Sequence, residues 1–117
     1  LDQFSRNIFR DSVESFAYDN LALVLAQEAV RRKFDKELDD RKRAFLYMPF
    51  MHSESKEIHK IALFLFDQPG LEDNYNFELR HKAIIDKFGR YPHRNEILDR
   101  KSTKKELAFL EEPGSSF

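Results

Sequence analysis

The 117-residue chain contains no cysteine and no tryptophan, and only three glycines and four prolines. Without cysteine there is no disulfide framework, thiolate nucleophile or zinc–thiolate site. The scarcity of Gly and Pro excludes a collagen-like or linker composition. Charge of one sign is lacking too. Lys and Arg number 20 against 21 Asp and Glu, a formal net charge of −1, so neither a nucleic-acid coat nor an acidic tail is expected. The apolar run Leu21 to Ala26 is far too short to span a membrane. The opening residues Leu1-Asp2-Gln3-Phe4 have no signal-peptide character. A reduced, cytoplasmic setting without a membrane or nucleic-acid partner is the expectation.

What the chain does have is core-forming material. Hydrophobic residues make up 41%, with twelve Phe and four Tyr, which excludes disorder. The length suits one domain, residues 1–117. Apolar spacing predicts helices almost throughout. Asp11 and Glu14 make a capping box for a helix over 11–34, whose stripe Val13, Phe16, Ala17, Leu21, Val24 is widened by Leu23, Leu25 and Ala26. A second helix is expected over 38–48, with Leu38, Phe45 and Met48 on one face and Pro49 as its stop. A third, over 54–67, would be capped by Ser53 and buried through Ile58, Ile61, Ala62 and Leu65. A fourth, over 72–88, places Phe77, His81, Ile84, Ile85 and Phe88 on one face and ends at Gly89. Pro92 is expected to open a short helix through Leu98, and Thr103 with Glu106 to cap a last one through Glu112. The fold class is therefore all-α, built of antiparallel helix hairpins.

Four ordered strings carry a family resemblance: Leu1-Asp2-Gln3-Phe4-Ser5-Arg6-Asn7, Tyr47-Met48-Pro49-Phe50-Met51-His52-Ser53-Glu54, Phe88-Gly89-Arg90-Tyr91-Pro92-His93-Arg94-Asn95, and Phe109-Leu110-Glu111-Glu112-Pro113-Gly114-Ser115-Ser116-Phe117. Together they resemble the bacterial family catalogued as domain of unknown function 924, over the whole chain. The resemblance implies an all-helical, tetratricopeptide-like array and leaves the activity open. It also implies further helices before the Leu-Asp-Gln-Phe string. The chain is thus expected to correspond to the C-terminal two thirds of a full member, with apolar faces left bare for association. The family's usual Pro in the first string is Ser5 here.

Three polar groups in these strings are candidate binding residues. His52 and Glu54 flank Ser53 at an expected helix start, where unpaired N–H groups and the dipole suit an anion. The plainer reading is an ordinary cap. Arg90, His93, Arg94 and Asn95 crowd a turn pinned by Gly89 and Pro92, either as forks for a phosphate or carboxylate or as clamps on backbone carbonyls. Asp2, Arg6 and Asn7 form a matching group, or a surface pair. Two of the three groups are expected to meet in one cleft lined by Phe50 and Tyr91, with Asp2 and Glu54 orienting Arg6 and Arg90. His81, on an apolar stripe, reads as an interior histidine. The four His are scattered and no metal motif, phosphate loop or nucleophile elbow occurs, so no metal or cofactor is expected. The seven basic and four acidic residues of 31–43 read as solvated surface. The functional expectation is a binding module for an anionic small molecule or peptide carboxylate. The alternative is a hydrolase or transferase with His52 or His93 as general acid–base and Arg90 and Arg94 on the substrate anion.

Overall fold

Residues with helical apolar spacing and good caps become helices, and their short connections fold each back on the last. The computed structural model describes residues 19–116. They form α1 (Asp19–Arg31), α2 (Asp40–Met51), α3 (Lys56–Phe66), α4 (Glu72–Phe88) and α5 (Lys104–Leu110), with 3-10 turns at Phe34–Glu37 and Pro92–Arg94 and no strand among the described residues. Consecutive helices α1 to α4 pack on one another in order. The expected capping box at Asp11 and Glu14 lies outside the described residues.

Several boundaries differ from the expected ones: α1 ends at Arg31 rather than 34, α2 begins at Asp40 rather than 38, α5 ends at Leu110 rather than 112, and three further differences have a clear physical reason. Pro49 does not stop α2. A proline removes only its own N–H bond, and two residues remain to the helix end. The His52 N–H still bonds the Met48 carbonyl at 3.0 Å, so the turn closes past the ring. The cap of α3 is Ser55, not Ser53, because the Ser55 hydroxyl accepts the Ile58 N–H at 3.3 Å. After Pro92 only one 3-10 turn forms, followed by further turns to Asp99, which adopts a left-handed φ of 55°. Two expected end signals hold. Gly89 ends α4 at φ 74°, and Thr103 with Glu106 makes the reciprocal capping box of α5.

Extending α2 to Met51 adds Phe50 and Met51 to its buried stripe. Ala44, Tyr47, Phe50 and Met51 face inward, while Phe45, expected there, is exposed. They pack with Ala62, Leu65 and Phe66 of α3, Leu71, and Ala26 of α1. Each large side chain so buried contributes about 1.5–3 kcal/mol. Ile61 and Phe77, also expected inside, are about half exposed, and Arg80 lies over the Phe77 ring. On α1 only one side is covered: Ala22 and Ala26 are buried, whereas Leu21, Val24 and Leu25 are exposed. A smaller cluster joins Ile84, Ile85 and Tyr91 to Phe88 and Phe109.

One buried polar knot locks the first connections. Arg43 donates to the Asp35 and Leu38 carbonyls at 2.9 and 2.6 Å, and the Tyr47 hydroxyl donates to the Asp35 carboxylate. Burial, then the neighbouring Asp35, pushes the Tyr47 phenol up to about 12. Gly70 is held close against Asp40, where a Cβ would fall 2.2 Å from the carboxylate, and its φ of 92° suits only glycine.

Candidate functional site

The site grows from Tyr91, fully buried just after the α4 C-cap. Its hydroxyl donates to the Met51 carbonyl at 2.6 Å and lies 2.9 Å from His59 Nε2. His59, also fully buried, must carry its proton on Nε2, because that atom is 2.6 Å from the Ser53 carbonyl, which can only accept. The other ring nitrogen, Nδ1, meets Glu78 Oε2 at 2.8 Å. With Nε2 committed as donor, that line holds one proton, on one partner or the other. Glu78 is wholly buried, and its Oε1 has no hydrogen-bond partner. Burial pushes its carboxyl up, and His59 only partly offsets this. His81 and His93 stand around the same phenol ring, with centroids 5.8 and 6.0 Å away.

Outside this centre lies a cleft of about 230 Å³. Its walls are Asp19, Asn20 and Leu23 of α1, Pro49 of α2, His52, Ser53 and Glu54 at the α2–α3 connection, Arg94 at the end of the 3-10 turn and Leu98 beyond it. Arg94 is only 5% exposed. Its Nη2 donates to the His52 carbonyl at 3.0 Å and its guanidinium carbon lies 4.7 Å from the Tyr91 ring centroid, a cation–π contact. Asp19 approaches its Nη1 at 3.8 Å, an ion pair beyond hydrogen-bond reach. Glu54 is gripped by both arms of Arg100 at 2.9 and 3.0 Å and accepts the Tyr91 N–H at 2.7 Å. Burial alone would raise its carboxyl. Arg100, the Tyr91 N–H and Arg94 outweigh burial and hold it below the usual range.

The expected residues therefore divide. His52, Glu54 and Arg94 line one cleft. Arg90 does not. Its fork closes on Glu106 at 2.9 and 2.8 Å, with a further bond to the Lys101 carbonyl. The expected Glu54–Arg90 pairing is thus replaced by Glu54–Arg100 and Arg90–Glu106, since Gly89 turns Arg90 toward α5. Arg90 holds the Glu106 carboxyl down at about 2. Asn95 is buried as a brace, donating to Ser102 and accepting from Arg100, both at 3.0 Å. His93 stacks beside Tyr91 rather than lining the cleft, so of the two acid–base candidates only His52 faces it. Phe50 and Tyr91, expected as lining, are core residues. Leu23, Pro49 and Leu98 supply the apolar wall instead. Asp2, Arg6 and Asn7 lie outside the described residues. Among the described residues, no group of His, Asp and Glu is placed to hold a metal ion. No helix there is long and apolar enough to cross a membrane.

The profile of a bacterial family, described as bacterial protein of unknown function (DUF924), matches residues 1–114. The chain belongs to the DUF924 family. Among solved structures, a protein of unknown function from Agrobacterium tumefaciens is 40% identical, with a TM-score of 0.89 over 95% of this chain and 62% of that one. This DUF924 chain thus spans less than two thirds of that relative's length. The all-helical fold is shared. No curated protein matches it. Both matches are to proteins of unknown function, so a functional reading must come from the geometry.

Two groups central to this DUF924 site escaped sequence reasoning. His59 and Glu78 are 19 residues apart and fall on different helices, so no local pattern joins them. A His on the same α3 face as Ala62 and Phe66 was the only signal. Arg100 lies five residues after Asn95, a spacing no helical face marks.

Proposed function

We propose that this chain is a binding module whose cleft between α1 and the α2–α3 connection takes a small molecule or peptide end through a carboxylate. One observation carries the reading: a nearly buried guanidinium, Arg94, lines the cleft in a fixed pose. The His52 carbonyl and the Tyr91 ring hold it. A cation fixed in advance loses little freedom on binding, and its fork matches a carboxylate. At 3.8 Å, Asp19 attracts Arg94 without a hydrogen bond. Leu23, Pro49 and Leu98 would cover the ligand's apolar part.

The test compares N-acetyl-triglycine with its C-terminal amide, by calorimetry and amide NMR shifts. The acid should bind and move the Asn20, His52 and Ser53 signals, and the amide should not. Asp19→Asn removes one carboxylate charge from the cleft wall and should tighten the acid's binding. Equal response to acid and amide, or none to either, would overturn the reading.

A further inference from the structure

We infer that the buried Glu78–His59 pair is a positioning device for the cleft, holding its polar wall in the geometry that receives a ligand. This deepens the cleft reading above and rests on it. The pair sits wholly inside, between α3 and α4. Every hydrogen bond that leaves it goes to the cleft wall or to the residue directly behind that wall. His59 Nε2 donates to the Ser53 carbonyl and meets the Tyr91 hydroxyl. Tyr91 in turn lies under the Arg94 guanidinium and gives its N–H to Glu54. Ser53, Glu54 and Arg94, all lining residues, are thus one or two contacts from a single imidazole.

Stability alone is a poor account of such a pair. Desolvating a carboxylate and an imidazole is costly, and apolar residues of the same volume commonly serve a core as well or better. Glu78 also leaves Oε1 without a partner, an added cost. What an apolar pair could not do is fix the direction of the Ser53 carbonyl and the Tyr91 phenol. Ser53 belongs to the short link between α2 and the Ser55 cap. Its N–H bonds the Phe50 carbonyl at 3.3 Å and its hydroxyl accepts the Ser55 N–H at 3.1 Å, but among the described residues only His59 bonds its carbonyl. Glu78 fixes the ring of His59, and the ring fixes the wall. The role is the outer-group support that orients binding residues.

The experiment uses two variants that act on the pair and one control. Glu78→Gln keeps volume and puts an amide where the carboxyl stood, which can neither hold the shared proton nor ion-pair with His59. Tyr91→Phe keeps the ring under Arg94 and removes only the hydroxyl. Leu65→Ala is destabilised in the core at a residue that does not line the cleft. At a temperature where all are folded, Glu78→Gln should weaken N-acetyl-triglycine binding by roughly tenfold, the scale of lost outer-group support. Tyr91→Phe should follow in the same direction, and Leu65→Ala should stay within about twofold of wild type. Unchanged binding in both pair variants would leave the pair a purely structural element and overturn the inference. A second readout needs no ligand. Both pair variants should shift the Ser53, Glu54 and Arg94 amide signals and speed exchange of the Tyr91 N–H, beyond any change in Leu65→Ala. If wild type binds no probe, the cleft reading fails by itself. The positioning claim then stands or falls on these amides, and wall signals that match the control would overturn it.

Discussion

Arg94 and His81 approach the same phenol ring, and each is held by a backbone carbonyl. Arg94 bonds His52 O and His81 Nδ1 donates to Phe77 O at 2.7 Å. Arg94 is therefore a clamp as well as a cleft residue, and its removal must cost stability. Arg94→Lys is the informative change, because it keeps the charge and loses the fork and the flat face over Tyr91. It should destabilise by about 1–2 kcal/mol in chemical denaturation. His81 lies where its four-residue spacing from Phe77 and Ile85 puts it. Burial, chiefly, lowers its pKa from the ordinary 6.5 to about 4. A two-dimensional NMR titration should find its ring signals unchanged through neutrality and moving only near pH 4. His81→Ala should cost about 1–3 kcal/mol, and an unaltered unfolding midpoint would contradict its interior role. What made His81 legible is that its apolar stripe and its bond to the Phe77 carbonyl lie on its own helix, whereas its contact with the Tyr91 ring left no local pattern. Arg90 and Glu54 were legible as special, but they were expected to pair with each other and their actual partners, Glu106 and Arg100, were not legible, since long-range pairing depends on how Gly89 aims the chain.

Helix ends show the same division at the next scale. The Thr103–Glu106 box could be read directly because both halves of the device lie within four residues. Ser53 and Ser55 are both sound caps locally, and the choice between them depended on where α2 ended. Once Pro49 is tolerated inside α2, the last turn consumes Met51 and His52, and Ser53 is left in the link. Its hydroxyl accepts the Ser55 N–H at 3.1 Å, while Ser55 caps. Thermal melts can check the assignment. Ser55→Ala should cost about 1 kcal/mol as a lost N-cap, and Ser53→Ala distinctly less. The reverse order would restore the cap to Ser53. Propensity gives helix type, but a proline near a C-terminus moves a boundary by three residues. With Phe50 and Met51 inside the helix, its buried stripe reads Ala44, Tyr47, Phe50 and Met51, and Phe45 falls outside it.

At the scale of the whole molecule, the buried ionisable groups act on stability in opposing directions with pH. Below about 6.5 the unfolded chain takes up a proton at His81 that the folded chain refuses until about 4, so stability falls with acid across that window. Glu106, held at about 2 by Arg90, contributes stability that is full above its ordinary 4.5 and is lost as pH drops toward 2. Glu54, also lowered, adds to the loss below 4.5. Glu78 runs the other way. Burial raises its carboxyl, so the folded chain keeps a proton there that the unfolded chain releases, and this share of stability grows as pH falls toward 4.5. From neutrality to about 4.5 the wild-type melting temperature is therefore the balance of His81 against Glu78, and below 4.5 it should drop steeply. Glu78→Gln removes the opposing member and should steepen the decline in the upper window. His81→Phe should flatten it, and Glu106→Gln should lower the melting temperature at neutrality while softening the drop below 4.5. Melting profiles of the three variants read each window separately. A Glu78→Gln profile parallel to wild type above 4.5 would show that this buried carboxyl gives up its proton as readily in the folded chain as in the unfolded one.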